Sequence, residues 1–287
     1  MMPIGTDDYL SLILSLSQLE PSTVLSIFLL TLARLLPIVS IAPFLGATNM
    51  PRVIRMMFGI ALVAIFLPQN LMQAQGQLPY NLTFILYMVK ELVIGFVLGF
   101  LAAIPFYIAQ MSGGLIDHQR GSASLQVTDP TTKTQTGPIG ILYNYVLIAL
   151  FFGLNGPFLF FNGIASSYEL IPVDGLLNIQ FFTENVPFWN QIVNLFQLMM
   201  SLSIQLAAPA LIGILLTDMF LGIANRLAPQ VQIVFLGISL KSWVGIAMLA
   251  AAWVLILKVL GKESIRWMET LVEMIRRSGL LYGPGAS

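Results

Sequence analysis

The sequence of 287 residues contains no cysteine, a single histidine and little charge of either sign. The lack of cysteine excludes disulfides, thiolate metal sites and cysteine nucleophiles, and one histidine excludes a metal site built from several imidazoles. Charged residues make up 9% of the chain, against roughly a quarter in soluble domains. Thirteen basic residues balance thirteen acidic ones, so no overall positive field attracts nucleic acid. These counts exclude a soluble globular domain.

What the chain has in abundance is apolar side chains, which account for 57% of its residues and give a mean hydropathy of +0.87. A membrane-spanning helix needs about 20 consecutive apolar residues. Candidate spans are the largely apolar or uncharged residues 24–44, 82–111, 134–168, 185–217 and 227–257, and a sixth run, residues 56–67, has only 12 residues and is short for a bilayer. We therefore predict an all-α, polytopic membrane protein made of long, partly bent helical hairpins.

The composition divides the chain into three segments. Residues 1–23 form an acidic N-terminal amphipathic segment without the basic start of a signal peptide. Residues 24–257 form the hydrophobic helical domain. In residues 258–287, apolar side chains recur at helical spacing at Ile265, Met268, Val272 and Ile275. This spacing predicts an amphipathic helix on the membrane surface, followed by a flexible tail.

The basic residues predict the orientation, because Lys and Arg concentrate in cytoplasmic loops. Arg52 and Arg55 place the first loop in the cytoplasm, and the basic C-terminal segment belongs there too. Six full crossings from an outside N-terminus would instead end outside. We expect residues 227–257 to form either one long helix or, as the simplest solution, a re-entrant hairpin bent near Lys241. The alternative is that not every apolar segment crosses a bilayer.

Three charged residues, Arg34, Lys90 and Glu91, interrupt apolar runs. A charge at the centre of a bilayer costs about 2.5–3.5 kcal/mol, so such residues normally find partners or line a wet passage. We expect ion pairs within the chain, contacts with another subunit, or a water-filled path. Gly95 and Gly99 form a GxxxG step, which allows close helix packing within the chain or between subunits.

The least membrane-like interior stretch is residues 113–138, which carry five ionisable side chains and few large apolar ones. Asp129 precedes Pro130, which indicates a turn. One interpretation is a plain cytoplasmic loop. The other is a re-entrant loop that lines a cavity, where irregular backbone is tolerated at membrane depth, and that acts as a movable stopper.

Catalytic motifs are absent from the sequence. There is no GxxxxGK[ST] or GxGxxG phosphate-binding loop, and one histidine supports no testable Ser-His-Asp set. His118 and Asp129 suggest a proton relay, but a polar loop with a turn proline explains both residues. We predict that the chain is not an enzyme and binds no cofactor or metal.

Several motifs in the chain resemble the FliR/SctT family of type III secretion export-gate proteins, whose injectisome members are also named YscT, SpaR or EscT. The motifs are Arg34-x-x-Pro37 with Pro43, Pro51 and Arg55, Lys90-Glu91 with Gly95, Gly99 and Phe100, the polar stretch from Gly113 through Gly121 to Asp129-Pro130, Leu154-Asn155-Gly156, and Ala224-Asn225-Arg226-Leu227-Ala228-Pro229-Gln230. The lysine at position 90, a polar loop without phenylalanine and the basic tail are more similar to the injectisome branch.

The resemblance implies a single-copy subunit that closes a helical export-gate ring with FliP/SctR-like and FliQ/SctS-like subunits. It also implies contact with FlhB/SctU-like and FlhA/SctV-like export components, membrane lipid and unfolded protein substrates. The family's assembly is a cone in the bacterial inner membrane, raised toward the periplasm. Hydrophobic hairpins there would pack on other subunits, which would resolve the conflict in orientation.

The resemblance assigns the plug of the channel to ten residues: Gly121, Ser122, Ala123, Ser124, Leu125, Gln126, Val127, Thr128, Asp129 and Pro130. Flagellar relatives carry aromatic residues where this chain has Ser124 and Val127, so we expect partner residues to complete the closure. The residues expected to serve subunit packing or ion pairing are Arg34, Lys90, Glu91, Gly95, Gly99, Asn225, Arg226 and Pro229.

Two functions follow from the sequence. The first is a non-enzymatic channel subunit of a type III export apparatus, plugged by its polar loop until substrates pass. The alternative is a secondary transporter for a small solute that uses the intramembrane charges. Transporters usually contain internal repeats with helices broken at matching positions, and the sequence has no convincing repeat.

Overall fold

The apolar runs of the sequence fold into long helices. A computed structural model describes residues 20–46, 51–74, 78, 81–121, 127–128, 135–175, 187–227 and 233–279. Its helices are α1 (Pro21–Ile41), α2 (Arg52–Gln73), α3 (Leu82–Gln119), α4 (Pro138–Gly153), α5 (Gly156–Leu170), α6 (Pro187–Leu227) and α7 (Ile233–Gly279), with a 3-10 turn at Pro43–Leu45. Two short strands, β1 (Val127–Thr128) and β2 (Gln135–Thr136), pair antiparallel. The all-α class is confirmed.

Local sequence signals explain several helix ends. Pro21 and Pro138 occupy the first turns of α1 and α4, where no backbone N–H is needed. Ala42 precedes Pro43 and adopts the extended conformation that ends α1. Asn155 separates α4 from α5 with a φ of 59°. Asparagine is one of the residues that tolerates this left-handed conformation.

Among the described residues, five helical stretches are long and apolar enough to cross a membrane: α1, α2, α3, residues 193–227 and residues 237–275. The broken pair α4 and α5 meets the same test when taken together. Prolines at positions 37, 68, 105 and 209 lie inside helices instead of ending them, as membrane helices permit. This explains why α2 continues well beyond the predicted segment 56–67.

The structure corrects the expected re-entrant hairpin. Helix α7 runs unbroken for 47 residues, and Lys241 lies in its interior. The bend near Lys241 is therefore wrong, and the long helix is the correct alternative. Lys241 needs no bend because it forms an ion pair with Asp218 on α6.

Two further corrections concern the polar loop and the C-terminal segment. Residues 113–119 continue α3 as helix, so the loop begins later than predicted. Residues 264–275 belong to α7, and most of their apolar side chains are buried within the chain instead of lying on a membrane. The buried face consists of Ser264, Trp267, Met268, Leu271, Met274 and Ile275. The predicted N-terminal helix and flexible tail lie outside the described residues.

The chain forms two compact units. Unit 1 comprises residues 1–103, 157–190 and 268–287. In it α1 packs along α2, and α3 approaches α1 so closely that a Cβ at Gly95 would overlap the carbonyl of Arg34. Gly99 lies against Ile38 in the same way, with 3.0 Å between the Cα of Ile38 and the position of a Cβ. The GxxxG step thus packs helices within the chain.

Unit 2 comprises residues 104–156 and 191–267. Its helices α3 and α4 touch at Gly113 and Gly140. A Cβ on Gly113 would overlap the backbone of Gly140. Helices α6 and α7 form an antiparallel hairpin. Leu221 lies beside Gly237, and Ile214 lies beside Gly245, so the contacts move in opposite directions along the two helices.

The GxxxG packing can be tested with a matched pair of glycine substitutions. Gly95→Ala should lower the free energy of unfolding by about 1–3 kcal/mol, because the added methyl group meets backbone that cannot move aside. Gly153→Ala, where a Cβ meets nothing within 4 Å, should leave the stability unchanged or raise it slightly. Thermal unfolding in detergent measures both. Equal effects of the two substitutions would contradict the packing described here.

Candidate functional site: a buried ion cluster and a clasp at the polar loop

The first group of chemically distinctive residues is an ion cluster in unit 1, defined here as Arg34, Lys90 and Glu91. Arg34 on α1 binds Glu91 on α3 through two hydrogen bonds, with Nε donating to Oε2 at 2.5 Å and Nη2 donating to Oε1 at 2.9 Å. Both side chains are completely buried. Bidentate arginine–carboxylate pairs of this kind are among the strongest polar contacts in proteins. The close packing at Gly95, one turn beyond Glu91, brings the two helices to this distance.

The remaining donors of Arg34 bind the end of α5. Nη1 donates to the carbonyl of Ser167 at 2.9 Å and Nη2 to the carbonyl of Ile171 at 2.7 Å. The guanidinium also lies 4.1 Å from the centre of the Tyr168 ring. The Ser167 carbonyl also accepts the backbone N–H of Ile171 at 3.1 Å, whereas Ile171 follows the last residue of α5 and its carbonyl has no partner in the helix. Arg34 therefore provides the C-terminal cap of α5.

Lys90 extends this capping to the turn that follows α5. Its Nζ donates to the carbonyls of Pro172 at 2.8 Å, Val173 at 3.2 Å and Gly175 at 2.8 Å, and it pairs with Glu91 at 2.8 Å. The cluster carries one excess positive charge, which suits the negative end of a helix dipole. The structure thus brings Arg34, Lys90 and Glu91 together inside the chain, where each has intramolecular partners.

The second group lies at the polar loop and is called the clasp, defined as Asp117, Arg120, Gly137, Ile139 and Gly140. Asp117 is 3% exposed. Its Oδ1 accepts a hydrogen bond from Arg120 Nη2 at 2.6 Å, and its Oδ2 accepts from the backbone N–H of Ile139 at 2.9 Å and of Gly140 at 3.3 Å. One carboxylate therefore holds both ends of the loop.

Asp117 also caps α4 from a distance. Gly137 precedes the helix and offers no side-chain cap, so the first backbone N–H groups of α4 bind the Asp117 carboxylate instead, at the positive end of the helix dipole. A Cβ at position 137 would overlap this carboxylate. The absence of a side chain at Gly137 is what allows Asp117 to reach the helix.

The loop residues themselves are only partly described. Gly121 follows Arg120 with a φ of 80°, a conformation that favours glycine. Val127 pairs with Thr136 in the β1–β2 ladder, which closes the loop beyond the clasp. The other predicted plug residues, 122–126 and 129–130, lie outside the described part of the chain, as does the Asp129 half of the suggested proton relay.

The other predicted packing residues lie apart from both groups. Asn225 and Arg226 are exposed near the end of α6, and Pro229 lies outside the described residues. Sequence reasoning missed the clasp. The signal was present as Asp117 and Arg120, three residues apart at the end of an apolar helix, followed by Gly137-Pro138 at the start of the next. In the described residues no group of three or more metal-ligating side chains comes together.

Comparison with known proteins assigns the family. The family described as Bacterial export proteins, family 1, matches residues 25–265, which include both the ion cluster and the clasp. The chain belongs to this family. It is 30% identical to the secretion system apparatus protein SsaT of Salmonella typhimurium over 74% of the chain and 79% of that protein. The match confirms the FliR/SctT assignment.

Relatives from both branches of the family are similar to the chain. It is 33% identical to the Yop proteins translocation protein T of Yersinia pestis, over 56% of the chain and 60% of that protein. It is 27% identical to the flagellar biosynthetic protein FliR of Bacillus subtilis over 88% of the chain and 96% of that protein. Among these three relatives the secretion-system proteins have the higher identities, which agrees with the injectisome branch. With its apolar helices, this bacterial export protein is a multi-pass protein of the inner membrane.

The ion cluster yields a test of the fold of unit 1. Glu91→Gln should lower the free energy of unfolding by about 3–5 kcal/mol, because Arg34 and Lys90 then stay buried without a countercharge. Glu263→Gln removes the half-buried partner of the exposed Arg266, from which it is 3.9 Å away, and should change stability by less than about 1 kcal/mol. Detergent unfolding curves and the amount of protein in the membrane measure the difference. A Glu91→Gln variant as stable as Glu263→Gln would disprove the role of the cluster.

Proposed function

We propose that this export protein is a channel-forming subunit of a type III export apparatus and that the polar loop between α3 and α4, with plug residues 121–130, blocks the channel until an unfolded substrate passes. The clasp is the observation that carries the proposal. In a chain with so few charges, a buried carboxylate and a buried guanidinium are used to fix the two ends of one polar loop. An ordinary connection between two helices does not require charged side chains to be buried, which is costly because they lose their hydration.

The polarity of the loop supports its location beside a water-filled space. Irregular backbone at membrane depth is tolerated where it lies against protein or water, since lipid cannot satisfy its N–H and C=O groups. The clasp binds the backbone of α4 at Ile139 and Gly140 and leaves Gly121, at the other end of the loop, exposed. A polar segment that is anchored at its base is suited to act as a stopper.

The exposed apolar side chains support assembly with other subunits. Large apolar residues on α6 are more than half exposed, among them Leu216, Met219, Phe220 and Ile223. Such surfaces in a membrane protein are covered by lipid or by other polypeptides. In the proposed assembly FliP/SctR-like and FliQ/SctS-like subunits cover them in a ring raised toward the periplasm, with FlhB/SctU-like and FlhA/SctV-like components nearby.

The contacts of the ion cluster argue against the alternative of a small-solute transporter. Its coupling and binding charges would be Arg34, Lys90, Glu91 and Asp129. The first three are each occupied by several intramolecular hydrogen bonds, and Asp129 lies outside the described residues. A binding site needs groups that are free to exchange partners. In the proposed gate the chain contributes a passage and a plug, and the energy for transport comes from other components.

Removing residues 121–130 from the assembled export complex tests the plug. The deletion should raise the conductance of the complex for small ions in a planar bilayer, because nothing then fills the passage. Gly153→Ala, a substitution into open space, serves as the control and should conduct like the unaltered complex. A correctly assembled complex whose conductance does not change after the deletion would refute the plug function.

Contact with the substrate can be tested independently. Because the chain has no cysteine, Ser124→Cys introduces a single thiol into the loop. A thiol-directed crosslinker at this position should capture a substrate protein stalled during export, whereas Arg226→Cys at the exposed end of α6 should not. Capture at position 226 alone would place the passage elsewhere.

A further inference from the structure

A row of three exposed cations runs along the part of α7 that belongs to unit 2. Lys258, Lys262 and Arg266, called the basic row, are spaced four residues apart and therefore lie on one side of the helix. Arg266 is 71% exposed and lies 3.9 Å from Glu263, at the limit of an ion pair. Glu263 is the one acidic residue of the sequence between positions 242 and 268. The basic row therefore presents a net positive charge on the surface of the chain.

The basic row continues a row of apolar side chains. Ala251 and Leu255 precede Lys258 by seven and three residues, so they lie on the same side of α7, and both are exposed. The acidic residues of this side come only after the basic row, at Glu269 and Glu273. Along one side of α7 the order is thus apolar, basic and then acidic. This is the order expected where a helix leaves the lipid tails and passes the negatively charged phosphate groups of a membrane.

Helix α6 changes its surface in a similar way. Its outer side, opposite the side that is buried within the chain, begins with four exposed polar residues, called the polar row: Asn194, Gln197, Ser201 and Gln205. Within this row Gln205 Nε2 donates a hydrogen bond to Ser201 Oγ at 3.1 Å. The same side continues at helical spacing with exposed apolar residues: Ile212, Leu215, Met219 and Ile223. The outer side of α6 therefore changes from polar to apolar after Gln205.

Both changes occur at the same level of the hairpin that α6 and α7 form. The two helices run antiparallel, and Leu202 and Leu206 on α6 line the same cavity as Val259 and Leu260 on α7. The end of the polar row therefore lies at the level where the basic row begins. Two independent sequence patterns, one on each helix, mark the same boundary.

The apolar stretch beyond this boundary has the length of one hydrocarbon layer. From the end of the polar row to the exposed Asn225 and Arg226, α6 contributes residues 206–224. At 1.5 Å per residue this stretch is about 29 Å long, and the hydrocarbon core of a bilayer is about 30 Å thick. The charged residues within it, Asp218 and Lys241 on the neighbouring part of α7, form an ion pair. The basic row therefore lies just beyond the edge of a stretch that fits the lipid tails.

We propose that the basic row binds the phosphate groups of anionic phospholipids at the edge of the bilayer. Charge complementarity carries the choice of ligand, because a zwitterionic lipid offers the same tails without the net negative charge. Lysine side chains are long enough to cover apolar surface with their stems while the ammonium group stays among the headgroups. The inference does not depend on the plug. It concerns the exposed side of α7, whereas the proposed assembly gives the apolar face of α6 to neighbouring subunits.

Quenching by spin-labelled lipids tests the site in the complete export complex, reconstituted into nanodiscs. Because the chain has no cysteine, Leu255→Cys places a single fluorophore next to the basic row, with any cysteines of the other subunits changed to serine. Phosphatidylglycerol with a nitroxide near its headgroup should quench this fluorophore more than matched phosphatidylcholine at the same mole fraction. We expect a local enrichment of roughly fivefold or more, the factor that one Lys or Arg contributes at an anionic membrane surface.

Charge variants separate lipid binding from an effect on the fold. Lys258→Gln together with Lys262→Gln should reduce the enrichment to about one, because the remaining Arg266 is shared with Glu263. Lys258→Arg together with Lys262→Arg should keep the enrichment, because both charges remain. Arg52→Gln removes an exposed charge on α2 and should leave the enrichment at the fluorophore unchanged.

Three results would overturn the proposal. Equal quenching by the two lipids beside the unaltered basic row would show that the row does not select anionic lipid. Enrichment that survives the loss of both lysines would place the selectivity elsewhere. If neither lipid quenches the fluorophore at position 255, protein covers this side of α7, and the basic row faces another subunit instead of the membrane.

Discussion

A carboxylate buried among apolar helices must be surrounded by cations and N–H donors, and two such carboxylates organise this protein. Glu91 binds Arg34 and Lys90, and the unused donors of these cations cap the end of α5 and its following turn. Asp117 binds Arg120 and the first N–H groups of α4. In each case a charge that would be costly alone joins elements far apart in sequence.

The all-α class followed from composition because a charge-poor, apolar chain has few alternatives in a membrane. The GxxxG step also predicted close packing, although only the structure shows that Gly95 packs against α1 instead of another subunit. The re-entrant bend failed because counting crossings assumes that every apolar run spans a bilayer. Lys241, the position near which the bend was expected, forms an ion pair with Asp218 on the neighbouring helix.

Tertiary contacts explain what local sequence rules missed. Gly113, Gly114 and the polar residues after them predict a loop, yet α3 continues through them because the contact with Gly140 and the Asp117 capping of α4 stabilise a helix there. The apolar stripe of residues 264–275 fits a membrane surface equally well by periodicity alone. Leu271 and Val272 pack against Gly163 on α5. This contact shows that the stripe packs on protein. Such partners are distant in sequence, so a pattern within one helix cannot reveal them.

The segment of α6 that contains its candidate membrane span covers 35 residues, 193–227. At 1.5 Å per residue it is about 52 Å long, whereas the hydrocarbon layer of a membrane is only about 30 Å thick. Fitting it into that layer would require a tilt of roughly 55°, beyond the range of about 0–40° found for membrane helices. About 20 Å of this helix therefore extends past the hydrocarbon layer, into the headgroup region and beyond it.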